Sequence, residues 1–116
     1  MSFEGSCHCA AVKFEVQAPV PTTAISCNCS HCLRKGFLLS FIPAQQFTLL
    51  QGEKELRSYK FNTHKIDHLF CQRCGTEPFA NGANPDGSAV VAVNLRCVPS
   101  IDLDRLELQH FDGAKA

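Results

Sequence analysis

The chain has no tryptophan, one methionine, one tyrosine and no net charge. Eleven Lys and Arg residues balance eleven Asp and Glu, so no global field draws the protein to a polyanion. There is no basic stripe interleaved with aromatics either, which argues against nucleic acid as a partner. No apolar run approaches the ~18 residues that a membrane span needs. Met1–Ser6 lacks the basic and apolar regions of a secretory leader. No membrane association and a cytoplasmic location are therefore expected. Repeats and heptads are absent, and helical periodicity nowhere persists beyond a few residues, which points to a chain that is mostly β.

What the chain does have is apolar mass and thiols. It is 45% hydrophobic and 19% charged, with nine Phe and eight Cys in 116 residues. That length suits a single domain over residues 1–116, which buries roughly two-thirds of its unfolded surface. In a secreted domain eight cysteines would read as a disulfide framework, whereas in a reducing compartment they read as metal ligands. Tight Cys-x-Cys spacings favour metal.

Most of the chain reads as short strands. Gly5-Ser6 is a turn signal before Cys7-His8-Cys9, and Val12, Phe14 and Val16 then alternate with polar residues as a half-buried strand. Pro19 and Pro21 break it, Ile25 restarts extended chain, and Cys27-Asn28-Cys29-Ser30-His31-Cys32 falls at a strand-to-loop transition. Residues 37–42 form a buried strand ended by Pro43, and 47–50 form another. A turn at 51–53 precedes Leu56, Tyr59 and Phe61, and a polar connection over 62–67 leads into His68–Cys71. Asn81-Gly82 and Asn84–Gly87 are loop signals, and 89–95 is apolar enough for a central strand closed by the polar groups of Asn94-Leu95-Arg96-Cys97. The tail after Pro99 adds little chemistry.

The thiols fall into a pair (Cys7, Cys9), a triplet (Cys27, Cys29, Cys32), a knuckle (Cys71, Cys74, with Gly75 for the tight turn) and a single Cys97. The two pairs together supply the four thiolates of a closed tetrahedral zinc site. The triplet then has three ligands and one open position, the arrangement of a catalytic site. Spacing equally allows Cys97 to complete the triplet, which would make both zincs structural. By itself, Cys97 reads as a small buried thiol in a strand.

Four stretches, Gly5-Ser6-Cys7-His8-Cys9, Cys27-Asn28-Cys29-Ser30-x-Cys32, Phe70-Cys71-x-x-Cys74-Gly75 and Asn94-Leu95-Arg96-Cys97, resemble the glutathione-dependent formaldehyde-activating (GFA) family, the centromere protein V/GFA domain. Ala10 stands where that family often has Gly. The resemblance implies a β-tent-like fold of several small antiparallel sheets around two Zn²⁺ sites. Cys7, Cys9, Cys71 and Cys74 would hold a structural zinc, and Cys27, Cys29 and Cys32 a catalytic one. The implied activity is that of a carbon–sulfur lyase joining glutathione and formaldehyde into S-hydroxymethylglutathione.

Three thiolates overcompensate a divalent ion, so an anionic thiol would need cationic help to bind. Arg96, inside the family-like motif, and Arg34 and Lys35 are the candidates to meet glutathione carboxylates, although a solvated basic pair is the plainer reading of the last two. His31 could relay protons, but an exposed loop imidazole is the commoner case. His8, His64, His68 and His110 have weaker claims. Two other function classes fit the same residues: an enzyme of this fold acting on another thiol or small electrophile, and a non-enzymatic zinc scaffold.

Overall fold

The computed structural model describes residues 1–61 and 66–115; His64 lies outside them, as does most of the polar connection at 62–67. The fold is almost all strand. A three-stranded sheet has the order β1 (Phe3–Ser6), β2 (Lys13–Val16), β5 (Phe47–Gln51). A seven-stranded sheet runs β10 (Glu107–Phe111), β3 (Thr23–Cys27), β4 (Leu39–Pro43), β9 (Ala89–Asn94), β8 (Phe79–Ala83), β7 (Asp67–Cys71), β6 (Leu56–Tyr59). The expected set of several small antiparallel sheets is thus two sheets, one of them large. That sheet is mixed, because β10 pairs with β3 in parallel register from Thr23↔Glu107 to Cys27↔Phe111.

The alternation in β2 does what a period of two dictates. Phe14 and Val16, with Val12 just before the strand, are fully buried, while Lys13 faces solvent. Phe14 stacks on Phe47 of β5 (centroids 5.3 Å apart) and meets Phe79 of β8 edge-on at 6.3 Å. These rings join the small sheet to the large one. As expected, 89–95 supplies a central strand: β9 has three strands on either side in the sheet order, and Val91, Val93 and Leu95 enter the core.

Four of the strand and turn expectations fail. The buried strand expected over 37–42 is β4 (Leu39–Pro43), in which Ile42 alone is buried while Phe41 is 51% exposed, because alternate side chains of a strand face opposite sides of the sheet. Gly5-Ser6 ends a strand rather than forming a turn, with Gly5 opposite Phe14. Asn81-Gly82 lies within β8, paired to Val91 and Val90, because flanking partners on both sides override the turn preference of the dipeptide. The triplet leads into a short helix, α1 (Ser30–Lys35), not a loop. Among the described residues, no helix is long and apolar enough to cross a membrane.

The turn after Cys9 contains the one non-glycine residue with positive φ among the described residues, Ala10 at 66°. An L residue in this left-handed region costs about 1–2 kcal/mol, so Ala for Gly here is not the neutral small-for-small exchange it looks like in sequence. Ala10→Gly is expected to raise stability by about 0.5–1 kcal/mol once the extra freedom of glycine in the unfolded chain is subtracted. A urea midpoint that falls would contradict this.

Candidate functional site

Two groups of sulfurs come together. In the first, Cys7 follows β1, Cys9 sits in the next turn, Cys71 ends β7 and Cys74 lies in the knuckle; all four Sγ atoms are within 4.8 Å of one another. The Sγ of Cys9 lies 3.7 Å from that of Cys7 and 3.7 Å from that of Cys71. A tetrahedral ion with ligands at 2.3 Å needs sulfurs about 3.8 Å apart, so this donor set fits zinc. The knuckle is shaped by the Gly75 amide, which donates to the Cys71 carbonyl at 2.8 Å with φ at 80°. The Val12 amide donates to Cys7 Sγ at 3.3 Å, a contact that orients the sulfur.

The second group is Cys27, Cys29 and Cys32, again within 4.8 Å of one another. Cys27 ends β3, Cys29 is the N-cap of α1, and Cys32 is the buried residue of that helix. The Cys29 amide donates to Cys27 Sγ at 3.4 Å and the Cys32 amide to Cys29 Sγ at 3.3 Å. A sulfur in the N-cap role puts negative charge at the positive end of the helix. Burial works against the Cys29 thiolate, yet the Cys32 amide, the Cys32 and Cys27 thiols and the His31 amide together hold its pKa below the ordinary thiol value. Burial, with the Cys29 and Cys27 sulfurs close by, pushes Cys32 upward. Three crowded thiols cannot all ionise alone; a cation among them would let them.

Cys97 joins neither group among the described residues. It lies in the single turn Leu95–Cys97 after β9, not in a strand, and its thiol packs into the core. Burial pushes it up to about 12, followed by Cys7, Cys74 and Glu77. The alternative in which it closes the triplet is not assembled here.

A cavity of ≈ 660 Å³ opens beside the triplet. Cys27, Cys29 and Cys32 all line it, whereas none of Cys7, Cys9, Cys71 and Cys74 does. Most of its wall is apolar, including Ile25, Leu39, Phe41 and Val90, and its polar lining includes His68, Glu77 and His110. The C-terminal segment, which the sequence marks as chemically poor, forms part of this wall. Asn28 fastens it by donating to Asp112 Oδ1 at 3.0 Å and accepting from the Ala114 amide at 3.0 Å.

Gly113 sits so close to the triplet that a Cβ there would lie 2.5 Å from Cys27 Sγ and 3.1 Å from the Cys29 Cβ. Gly113→Ala is therefore expected to weaken metal binding at the triplet by roughly 10–100-fold, the usual cost of disturbing a ligand's support, with little change in melting temperature. Competition with a chromogenic chelator measures it, and unchanged affinity would refute the close approach.

The candidate cations gather around the C-terminal end of α1, and none lines the cavity. Arg34 folds back to donate to the Ser30 carbonyl at 2.9 Å, and Arg96 Nε donates to the Gly36 carbonyl at 2.8 Å. Lys35 Nζ approaches Glu77 Oε1 at 3.6 Å. His8 and His110 are exposed.

Two histidines and a carboxylate that the sequence leaves in the background form a third cluster. His31 is not an exposed loop residue: its side chain is 7% exposed, although its backbone on α1 leaves the residue half-buried overall. Its ring centroid is 4.1 Å from that of His68, and the rings of Phe61, Phe37 and Tyr59 surround it at 5.1–5.9 Å. His68 Nδ1 meets Glu77 Oε2 at 3.2 Å, and His31 Nε2 lies 3.6 Å from Glu77 Oε1. Among the described residues, both His31 ring nitrogens and Glu77 Oε1 are buried without a hydrogen-bond partner, a situation that costs about 1–3 kcal/mol per group. Burial, then His68, holds His31 below its ordinary pKa. Glu77 gives no sequence signal, since Thr76-Glu77-Pro78 between the knuckle and β8 reads as an ordinary polar connection.

Residues 2–106 match the family model described as glutathione-dependent formaldehyde-activating enzyme. A Halomonas elongata protein named "Putative glutathione-dependent formaldehyde-activating enzyme" is 30% identical over 84 residues, which are 66% of this chain and 54% of that protein. The chain thus spans about half the length of that relative. A crystal structure of a Rhodobacter sphaeroides protein superposes with a TM-score of 0.77 at 24% identity, covering 91% of this chain and 99% of the other; it shares the mainly-β fold. β10 and Gly113 lie beyond the residues that the family model matches.

Proposed function

Because the chain belongs to the glutathione-dependent formaldehyde-activating enzyme family, we propose that it is a zinc-dependent carbon–sulfur lyase that adds a thiol to a small aldehyde. Glutathione and formaldehyde, the compounds in the family's description, would give S-hydroxymethylglutathione. The observation that carries this reading is the unequal placement of the two sulfur groups: the triplet lines the ≈ 660 Å³ cavity and the four-sulfur group does not. A three-ligand site facing a cavity can take a substrate, and a four-ligand site off the cavity serves structure.

Zinc held by Cys27, Cys29 and Cys32 would supply the positive charge that keeps an incoming thiol deprotonated near neutral pH. The protein's own part is placement. The amides of Cys29 and Cys32 hold two of the three sulfurs in position, and Ile25, Leu39 and Phe41 would offer the substrates an apolar wall. The carbon–sulfur bond forms as the thiolate attacks the carbonyl carbon. The C=O π pair moves to oxygen, and that oxygen takes up the proton the thiol released. Arg96, Arg34 and Lys35 would meet the carboxylates of glutathione from the end of α1. NMR exchange between labelled formaldehyde and glutathione tests the proposal: the zinc-loaded protein should accelerate it and the chelated protein should not. Equal rates would sink it.

One observation favours a variant of this reading. Among the described residues the cavity lining has no Arg or Lys, so an apolar thiol or aldehyde suits the wall better than a dianionic peptide does. Thermal shifts with a panel of thiols separate the two, larger shifts with apolar thiols favouring the variant.

A further inference from the structure

We infer that His31, His68 and Glu77 form a third metal site, separate from both sulfur groups, that takes a divalent first-row ion through two imidazoles and one carboxylate. The inference does not depend on the proposed reaction. The ligand atoms of the three residues lie within 4.8 Å of one another. Nitrogen and oxygen ligands at about 2.1 Å around a tetrahedral ion stand about 3.4 Å apart; His68 Nδ1 lies 3.2 Å from Glu77 Oε2 and His31 Nε2 lies 3.6 Å from Oε1, so each carboxylate oxygen faces one imidazole at about that spacing.

The second observation is unmet bonding capacity. Among the described residues, both ring nitrogens of His31 and Oε1 of Glu77 are buried without a hydrogen-bond partner, and His31 is packed among the rings of Phe37, Tyr59 and Phe61. Native proteins pair such groups with protein, water or an ion. An ion would satisfy one His31 nitrogen and the Glu77 oxygen at once. Lys35 is the competing cation at Oε1, but at 3.6 Å it makes no hydrogen bond, and its side chain is 40% exposed and free to turn outward.

The donor set differs in kind from the sulfur groups. Imidazole and carboxylate suit zinc, cobalt, iron or manganese, and three protein ligands leave room for a water or a carbonyl oxygen. His68 and Glu77 line the same cavity as the triplet, so that open position would face the space in which a substrate sits.

Cobalt(II) titration of the reduced, metal-free full chain tests the site. The expected result is three bound equivalents, of which two bring thiolate-to-metal charge-transfer absorption and the third only ligand-field bands. Glu77→Gln and His68→Gln should each lose the third equivalent and keep the charge-transfer bands of the other two. Saturation at two equivalents in the unaltered protein, or a third equivalent that survives both substitutions, would overturn the inference. Cadmium NMR of the unaltered protein covers the case in which a variant does not fold: a third resonance in the nitrogen–oxygen range supports the site, and sulfur-ligated resonances alone refute it.

Discussion

Replacing Cys71 by serine is expected to abolish the cooperative melting transition. Cys71 is completely buried at the end of β7, and its sulfur lies 3.7 Å from that of Cys9, 62 residues away in sequence. A metal held by the four sulfurs would therefore fasten the turn after β1, next to the small sheet, to the large sheet. Binding of a structural zinc is worth about 10–16 kcal/mol in small zinc domains, which equals or exceeds the ~5–15 kcal/mol by which a whole domain is stable. Serine leaves three thiolates and a poor fourth ligand in the same place. Thermal melts followed by circular dichroism should show Cys71→Ser resembling the chelated protein, with neither giving the sharp transition of the metal-loaded form. A variant that melts within a few degrees of the unaltered protein would show that this group does not hold the fold together.

Cys29→Ser should behave in the opposite way, keeping the fold and losing the chemistry. Cys29 caps α1 by accepting the Cys32 amide, and serine is a better N-cap than cysteine, so the helix should persist. What would disappear under the proposed function is one of three ligands to an ion whose Lewis acidity is worth several kcal/mol of barrier. The rate of thiol–aldehyde exchange should fall by roughly 10²–10³-fold, one metal equivalent should be lost, and the melting temperature should move by only a few degrees. Full activity with the triplet metal gone would remove the triplet from the reaction. Measured together, the two serine variants separate a metal that stabilises from a metal that reacts.

The difference between these outcomes rests on placement, and placement is the part of the molecule least visible in sequence. Val12, Phe14 and Val16 announce a strand because alternation of apolar side chains has only one good geometric solution, and all three are fully buried. The strand at Phe3–Ser6 gives no such signal, since four residues ending in Gly-Ser carry too little periodicity. α1 is missed for a related reason: six residues make less than two turns, so no helical period can show. Its start is set by Cys29 acting as a cap, a role for which cysteine is not a usual marker. Asn81-Gly82 reads as a loop because local preference is all that a single sequence displays, whereas β7 and β9 on either side hold it extended.

The cysteine framework was open to reading from sequence because thiols recur at short, countable spacings, and counting ligands separates a group of four from a group of three. The triplet's position on the cavity wall, the approach of Gly113 to Cys27 and the meeting of His31, His68 and Glu77 were not. Each depends on chain segments far apart in sequence that are aligned only when β10 pairs with β3 and when β7, β8 and β9 form neighbouring strands. The sequence by itself thus determined which cysteines fall into candidate metal-binding groups, since that follows from side-chain chemistry and local spacing. Only the tertiary structure decided which of them face a cavity and which other residues lie buried together without partners, because strand pairing between distant segments sets those distances.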